Sequence, residues 1–152
     1  MATYAAETEV LRPADEVFAV VLDIARWGEW TDMQDIRQDG TGQPAVGSTG
    51  TFSLPGPFHG PVTFELTALE PNRRVEYRMR HPSFEWRAEM SVQPRPAGAR
   101  LATSGEFRMR GWRRVLEPIV GRELRKVEAG ELQRLKALLE GSPMAASFAA
   151  EA

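Results

Sequence analysis

The fold turns on one stretch near the end of the chain, Leu116-Glu-Pro-Ile-Val-Gly-Arg-Glu-Leu-Arg-Lys-Val-Glu-Ala-Gly-Glu-Leu-Gln-Arg-Leu-Lys-Ala-Leu-Leu-Glu140. On a helical wheel at about 100° per residue, Leu116, Val120, Leu124, Val127, Leu135 and Leu138 form one stripe. Arg122, Arg125, Lys126, Gln133 and Lys136 gather on the opposite side. At about 1.5 Å per residue such a helix is roughly 36 Å long, enough to cross a small domain. Pro118 is tolerated only in a first turn, which sets the helix start near Leu116. Gly121 and Gly130 lie inside the helix, where each costs up to about 1 kcal/mol against alanine. Close approach to a neighbouring element, or a local bend, would explain them.

An amphipathic helix needs an apolar partner, and the residues before it read mostly as strands. Thr3 to Leu11 alternates, with Tyr4, Ala6, Thr8 and Val10 on one face and Glu7 and Glu9 on the other. Pro13 opens a short helix, where its missing N–H costs nothing. Asp15 and Glu16 suit the positive end of that helix, and Val17, Val20 and Val21 give it an apolar face. Asp23 is a candidate cap for a second short helix, Ile24 to Trp27, ended by Gly28. Strand candidates then follow at Asp35–Gln38, Ser48–Leu54, Val62–Ala68, Arg74–Arg80, Phe84–Val92 and Leu101–Met109. Asp39-Gly40, Pro55-Gly56-Pro57, Glu70-Pro71-Asn72, His81-Pro82 and Pro94 to Gly98 separate them. The order is one strand, two short helices, six strands and one long helix. This is an α+β fold whose curved seven-stranded antiparallel sheet wraps the last helix.

Charges on the fourth and fifth of the six strands suggest a register. A turn at His81-Pro82 would set Arg78 against Glu85, Glu76 against Arg87 and Arg74 against Glu89.

Composition narrows the function. With 152 residues the chain forms one domain, expected over residues 1–140, with a loosely ordered tail over 141–152. A net charge of −2 gives no electrostatic basis for binding nucleic acid. The absence of cysteine excludes disulfides, zinc–thiolate sites and thiol catalysis, and fits a cytoplasmic setting. No signal-peptide pattern opens the sequence, and no segment approaches the roughly 20 apolar residues of a membrane span. Stable membrane insertion is therefore not expected. Nothing in the chain specifies an oligomeric state.

Several local patterns carry a family likeness: Pro13-Ala-Asp-Glu-Val17-Phe18, Asp23-Ile-Ala-Arg-Trp27-Gly-Glu-Trp30, Val46-Gly47-Ser48 and Leu69-Glu-Pro-Asn-Arg-Arg-Val75. The late Arg122-Glu-Leu124 to Leu135-Lys-Ala-Leu138 completes them. Together they resemble the helix-grip superfamily of START lipid-transfer domains and birch-pollen-allergen-like proteins. Within it they look most like the bacterial polyketide cyclase/dehydrase and lipid-transport group. The resemblance spans about residues 1–140 and implies a deep apolar cavity between sheet and last helix. It does not choose among cyclases, dehydratases, sterol carriers, quinone-binding proteins and plain ligand binders.

The residues supply a lining for such a cavity. Phe64, Tyr77, Trp86, Met90, Phe107 and Met109 alternate onto one sheet face, and Leu124 and Val127 would face them from the helix. Phe58, in the turn-rich loop Pro55 to Pro61, would border the mouth. Each of these could equally be plain core. Trp27 and Trp30 are expected to anchor the short helices rather than to line the pocket.

Candidates for chemistry are few. Glu131 falls near the centre of the helical stripe and Glu128 toward its edge, where lost hydration raises the proton affinity of a carboxylate. Glu131 could act as acid or base, bind a polar ligand end, or pair with an arginine such as Arg134. Tyr77 is the best hydroxyl for a ligand carbonyl. His59 could move protons if the loop borders the cavity. His59 and His81 are the only histidines and read more readily as surface or loop residues, without metal-ligand spacing. No metal or cofactor is expected, and no nucleophile elbow or phosphate-binding loop occurs. The first expectation is a binder of a small hydrophobic or amphipathic molecule such as a lipid, quinone or polyketide. The second is a cofactor-free cyclase, aromatase or dehydratase using Glu131, Tyr77 or His59. The third is a domain that grips a peptide.

Overall fold

In a computed structural model, the chain is described over residues 1–151, with side chains through Gly141. The expectation for the tail lies, from residue 142 onward, outside the residues so described. Strand β1 (Ala2–Val10) leads into helix α1 (Ala14–Leu22) and a 3-10 segment (Ile24–Glu29). Six strands follow: β2 (Gln34–Gln38), β3 (Thr49–Ser53), β4 (Val62–Glu70), β5 (Arg74–His81), β6 (Phe84–Arg95) and β7 (Gly98–Met109). A second 3-10 segment (Gly111–Leu116) delivers the chain to α2 (Glu117–Glu151). The sheet order is β1-β7-β6-β5-β4-β3-β2, antiparallel throughout. The expected order of elements is therefore the observed one. No helix among the described residues is long and apolar enough to cross a membrane.

Helix α2 runs alongside β1 in the same direction, and contacts between them recur along its length. A Cβ on Gly121 would lie 2.9 Å from the Ala2 Cβ, so glycine is what lets the two backbones close up there. Arg125 Nε donates to Thr3 O at 3.2 Å, and Gln133 Nε2 to Thr8 Oγ1 at 3.4 Å. The Leu11 N–H donates to Glu140 Oε2 at 2.7 Å. The lengths match: the nine steps from Ala2 to Leu11 at about 3.3 Å, and the nineteen from Gly121 to Glu140 at about 1.5 Å, both cover about 30 Å.

The buried face of α2 differs from the expected stripe. Glu117, Gly121, Glu128, Glu131, Leu132 and Leu135 are buried, while Val127 is 38% exposed and Leu124 only half-buried. The helix is rotated by roughly two-thirds of the ~100° step between residues, which sets Gly121 directly against Ala2 of β1. Gly130 is exposed and a Cβ there would meet nothing within 4 Å, so close approach does not account for it.

Two further expectations are corrected. Asp23 stands at the start of the 3-10 segment but its side chain makes no capping hydrogen bond, and the segment runs on through Gly28 to Glu29. The β5–β6 hairpin closes as His81↔Phe84 around Pro82-Ser83, two residues away from the charge-based register. Proline takes the first central turn position, which its fixed φ suits. His81 and Phe84 stack at 5.0 Å and 16°. Arg78 now opposes Arg87 and Glu76 opposes Glu89, yet the attraction survives diagonally. Glu76 meets Arg87 at 3.2 Å and Arg74 meets Glu89 at 3.7 Å.

Candidate functional site

The pleat of the sheet sends alternate residues toward α2. From β5 these include Tyr77 and Met79, from β6 Trp86, Ala88 and Met90, and from β7 Thr103. Opposite them stand Glu128 and Glu131, three apart and so on one helical face. Trp27, Trp30 and Thr31 close the third side. These groups enclose a cavity of about 50 Å³. It is narrower than the deep cavity that the resemblance implies.

A cross-strand row explains the shape of the wall. Tyr77, Ala88, Gly105 and Tyr4 stand in register on β5, β6, β7 and β1. The two small residues leave room for the Tyr4 ring to lean across, and a Cβ on Gly105 would collide with its hydroxyl. Trp86 Nε1 donates to Tyr4 Oη at 2.9 Å, and the Tyr4 hydroxyl also meets Thr103. Thr103 Oγ1 in turn donates to Glu128 Oε2 at 3.5 Å. A line of polar contacts thus runs from indole to carboxyl, with Glu128 as its acceptor end.

Burial governs the proton affinities. It raises Glu128 to about 7, with the Thr103 bond opposing. Burial first, then the neighbouring Glu128 charge, raises Glu131 to about 9, against the pull of Arg134. Arg134 itself is held at the exposed rim by Asp32, Nη1 to Oδ1 at 3.0 Å. Tyr4 and Tyr77 are both raised by burial, so each stays a neutral phenol. At neutral pH the pair therefore holds a proton that two ordinary glutamates would have lost.

Two donors in this wall are unsatisfied. Tyr77 Oη and Trp30 Nε1 are buried and have no hydrogen-bond partner among the described residues. A buried donor without a partner costs roughly 1–3 kcal/mol, and both line the same cavity.

Of the sequence candidates, Glu131, Tyr77, Trp86 and Met90 line the cavity. Phe64 lies behind it, 5.1 Å from the Trp27 ring and 6.2 Å from Tyr77. Phe107 stacks on Phe84 at 4.8 Å, and Met109 pairs with Phe84 in register, both further along the sheet. Phe58 packs on His81 and Phe84 instead of bordering the cavity. Leu124 and Val127 are not in the lining. The His59 side chain is exposed, and only its carbonyl is engaged, 2.7 Å from His81 Nε2. His81 is buried rather than exposed, and its Nδ1 accepts from the Ser83 N–H at 3.0 Å.

Sequence reasoning set Glu128 at the stripe's edge, placed Trp27 and Trp30 as anchors and overlooked Thr103. The signal for Thr103 was a hydroxyl on the otherwise apolar face of β7, between Leu101 and Phe107. Larger depressions exist elsewhere. One of about 360 Å³ on the outer sheet face is lined by groups such as Glu76 and Arg87, already paired. One of about 620 Å³ beside α1 involves Phe18, Leu22 and Leu69. Neither contains an unpartnered buried polar atom. No group of three or more potential metal ligands occurs among the described residues.

Comparison with known proteins bears on the fold and the family. The pattern of the family described as Polyketide cyclase / dehydrase and lipid transport matches residues 1–140. No curated protein sequence matches. Among solved structures, a START superfamily protein from Mycobacterium smegmatis superposes with a TM-score of 0.77 at 13% identity, covering 93% of this chain and 99% of that one. A protein from Helicobacter pylori gives 0.76 at 14% identity, covering 90% and 87%. DynU16, from the dynemicin biosynthetic locus, gives 0.65 at 17% identity, covering 92% of this chain and 48% of that one. At these identities the likenesses establish the helix-grip fold and nothing about ligand.

Proposed function

The chain belongs to the polyketide cyclase / dehydrase and lipid transport family, and from that membership we propose that it binds a small apolar or amphipathic molecule. The polar end of that molecule sits in the cavity between the sheet and α2. One observation carries this reading: Tyr77 Oη and Trp30 Nε1 are buried and unpartnered, and both residues line the same cavity, where a ligand oxygen could satisfy them. The cavity of about 50 Å³ admits a head group only; a dry cavity that takes up benzene is about 150 Å³. Met33, Met79 and Met90 in the wall are the side chains able to yield the remaining room. Native mass spectrometry of protein purified from its own cells tests the reading. A retained small molecule at one per chain, lost in Y77F, supports it. Retention of nothing, with no saturable quenching of tryptophan fluorescence by a quinone and lipid panel, overturns it.

A second reading rests on the buried carboxyl pair. Burial raises both Glu128 and Glu131, so the pair shares a proton near neutral pH and can both give and take one, which is what a cofactor-free cyclase or dehydratase needs. Glu131 would protonate a carbonyl oxygen oriented by Tyr77, and Glu128 would remove the proton from the neighbouring carbon. His59, exposed and remote from the cavity lining, has no part in it. Loss of turnover with retained binding in E128Q or E131Q is the expected result for catalysis. Equal loss of both leaves binding as the role.

A further inference from the structure

The cavity wall has a one-sided electrostatic character. Four aromatic rings line it, those of Trp27, Trp30, Tyr77 and Trp86, together with the carboxyls of Glu128 and Glu131. No lysine, arginine or histidine does. Aromatic faces carry negative potential and attract cations, most strongly when water is excluded. Buried carboxylates are ordinarily accompanied by a positive charge. Here the candidate counter-charge, Arg134, is committed to Asp32 at the exposed rim. The acid pair therefore shares the cavity with rings that suit a cation, and no cation is supplied by the lining itself. The other groups facing the pair do not change this. Thr103 from β7 is a neutral donor, Tyr4 from β1 and Tyr77 from β5 are neutral phenols, and Asp32 adds negative charge.

Resting on the cavity-binding reading above, we propose that the ligand's polar end is an organic ammonium beside an oxygen acceptor, seated between Glu128 and Glu131 and ringed by Trp27, Trp30, Tyr77 and Trp86. The ammonium N–H groups donate to the carboxylates. The neighbouring ligand oxygen accepts from Tyr77 O–H and Trp30 Nε1–H, the two donors that lack partners. A neutral alcohol end would leave the acid pair protonated and the ring faces unused. A carboxylate end, as in a free fatty acid, would add a third acid to the cavity and be rejected. Protons balance simply. An amine that arrives as its ammonium ion displaces the proton on Glu131 into the buffer. One that arrives neutral takes that proton onto nitrogen, with no net release.

Calorimetric titration of the full chain at pH 7.5, in phosphate and in MOPS, tests this on the unaltered protein. The probes are 2-methoxyethylamine, 2-phenoxyethylamine and 2-(octyloxy)ethylamine, each set against its matched alcohol and carboxylic acid. The expected result is that at least one amine binds about tenfold or more tightly than its alcohol. About one proton is released per amine bound, read from the difference in heat between the buffers, and the acids do not bind. In E131Q the expected amine affinity falls about tenfold or more relative to that of the matched alcohol, and proton release disappears. Alcohols binding as well as amines without proton release, or acids binding best, overturns the ammonium and leaves the cavity reading standing. Amine binding unchanged in both E128Q and E131Q also overturns it. If no probe of any charge binds, both the ammonium and the cavity reading fall.

Discussion

Thr103 Oγ1 and Glu128 Oε2 meet at 3.5 Å in the interior, a polar contact away from water between the middle of β7 and α2. Among the described residues, the threonine is the donor that lowers the proton affinity of Glu128 against its burial. It is itself approached by Tyr4, whose hydroxyl accepts from Trp86. The contact therefore connects the state of the acid to the packing of the sheet.

Replacing that threonine by valine keeps the shape and removes the hydroxyl. T103V is expected to move the Glu128 midpoint above its value of about 7. Because the bond is long, the loss of stability is expected to be about 1 kcal/mol at pH 8 and to shrink as the pH falls through about 7, until little is left at pH 5, where Glu128 is protonated. Carboxyl-carbon NMR titration and urea unfolding at the two pH values measure both. An unmoved midpoint would remove Thr103 from the site.

Stability is expected to fall as the pH rises from about 5 to about 9. Glu128 and Glu131 bind protons more tightly in the folded chain, about 7 and about 9, than the ordinary 4.5 of a glutamate. Below pH 4.5 both states are protonated and nothing is lost. Above it the unfolded chain releases protons that the folded chain keeps, so stability declines through pH 7 for Glu128 and on to pH 9 for Glu131. The slope is at most about 1.4 kcal/mol per pH unit for each carboxyl. E131Q is expected to flatten the curve between pH 7 and 9 and to be more stable than the parent at pH 9. Thermal unfolding across this range decides it, and a flat curve in the parent contradicts burial of the pair.

The same substitution is expected to act with opposite sign at two glycines. Gly130 is exposed with open space around its Cβ position, so G130A should stabilise by up to about 1 kcal/mol. At Gly105 a methyl group meets the Tyr4 hydroxyl and the Arg87 carbonyl, so G105A should cost about 1–3 kcal/mol. Urea midpoints for the two variants, compared side by side, check the row that shapes the cavity wall.

Removing the Tyr77 hydroxyl removes a buried donor that has no partner. Y77F is expected to leave the unliganded protein as stable as the parent or about 1 kcal/mol more stable, while weakening retention of the ligand. Thermal unfolding after denaturation and refolding, which strips bound molecules, separates the two effects. A marked loss of stability in the stripped variant would mean that the hydroxyl is satisfied within the protein.

The order of elements and the antiparallel meander could be read along the chain, because strand alternation, turn residues and the apolar periodicity of a long helix are local properties. So could the presence of an acid on the apolar side of that helix, Glu131. What tertiary contact alone decided was orientation. The rotation of α2 about its axis depends on how closely Gly121 can approach Ala2, and it exchanges Val127 for Leu132 and brings Glu128 inside. The β5–β6 register depends on a proline-led turn and on the stacking of His81 with Phe84, since charges satisfied diagonally do not distinguish a shift of two residues. The convergence of Thr103, Trp30 and Tyr77 on the acid pair joins residues from separate elements, and no pattern within any one of them announces it.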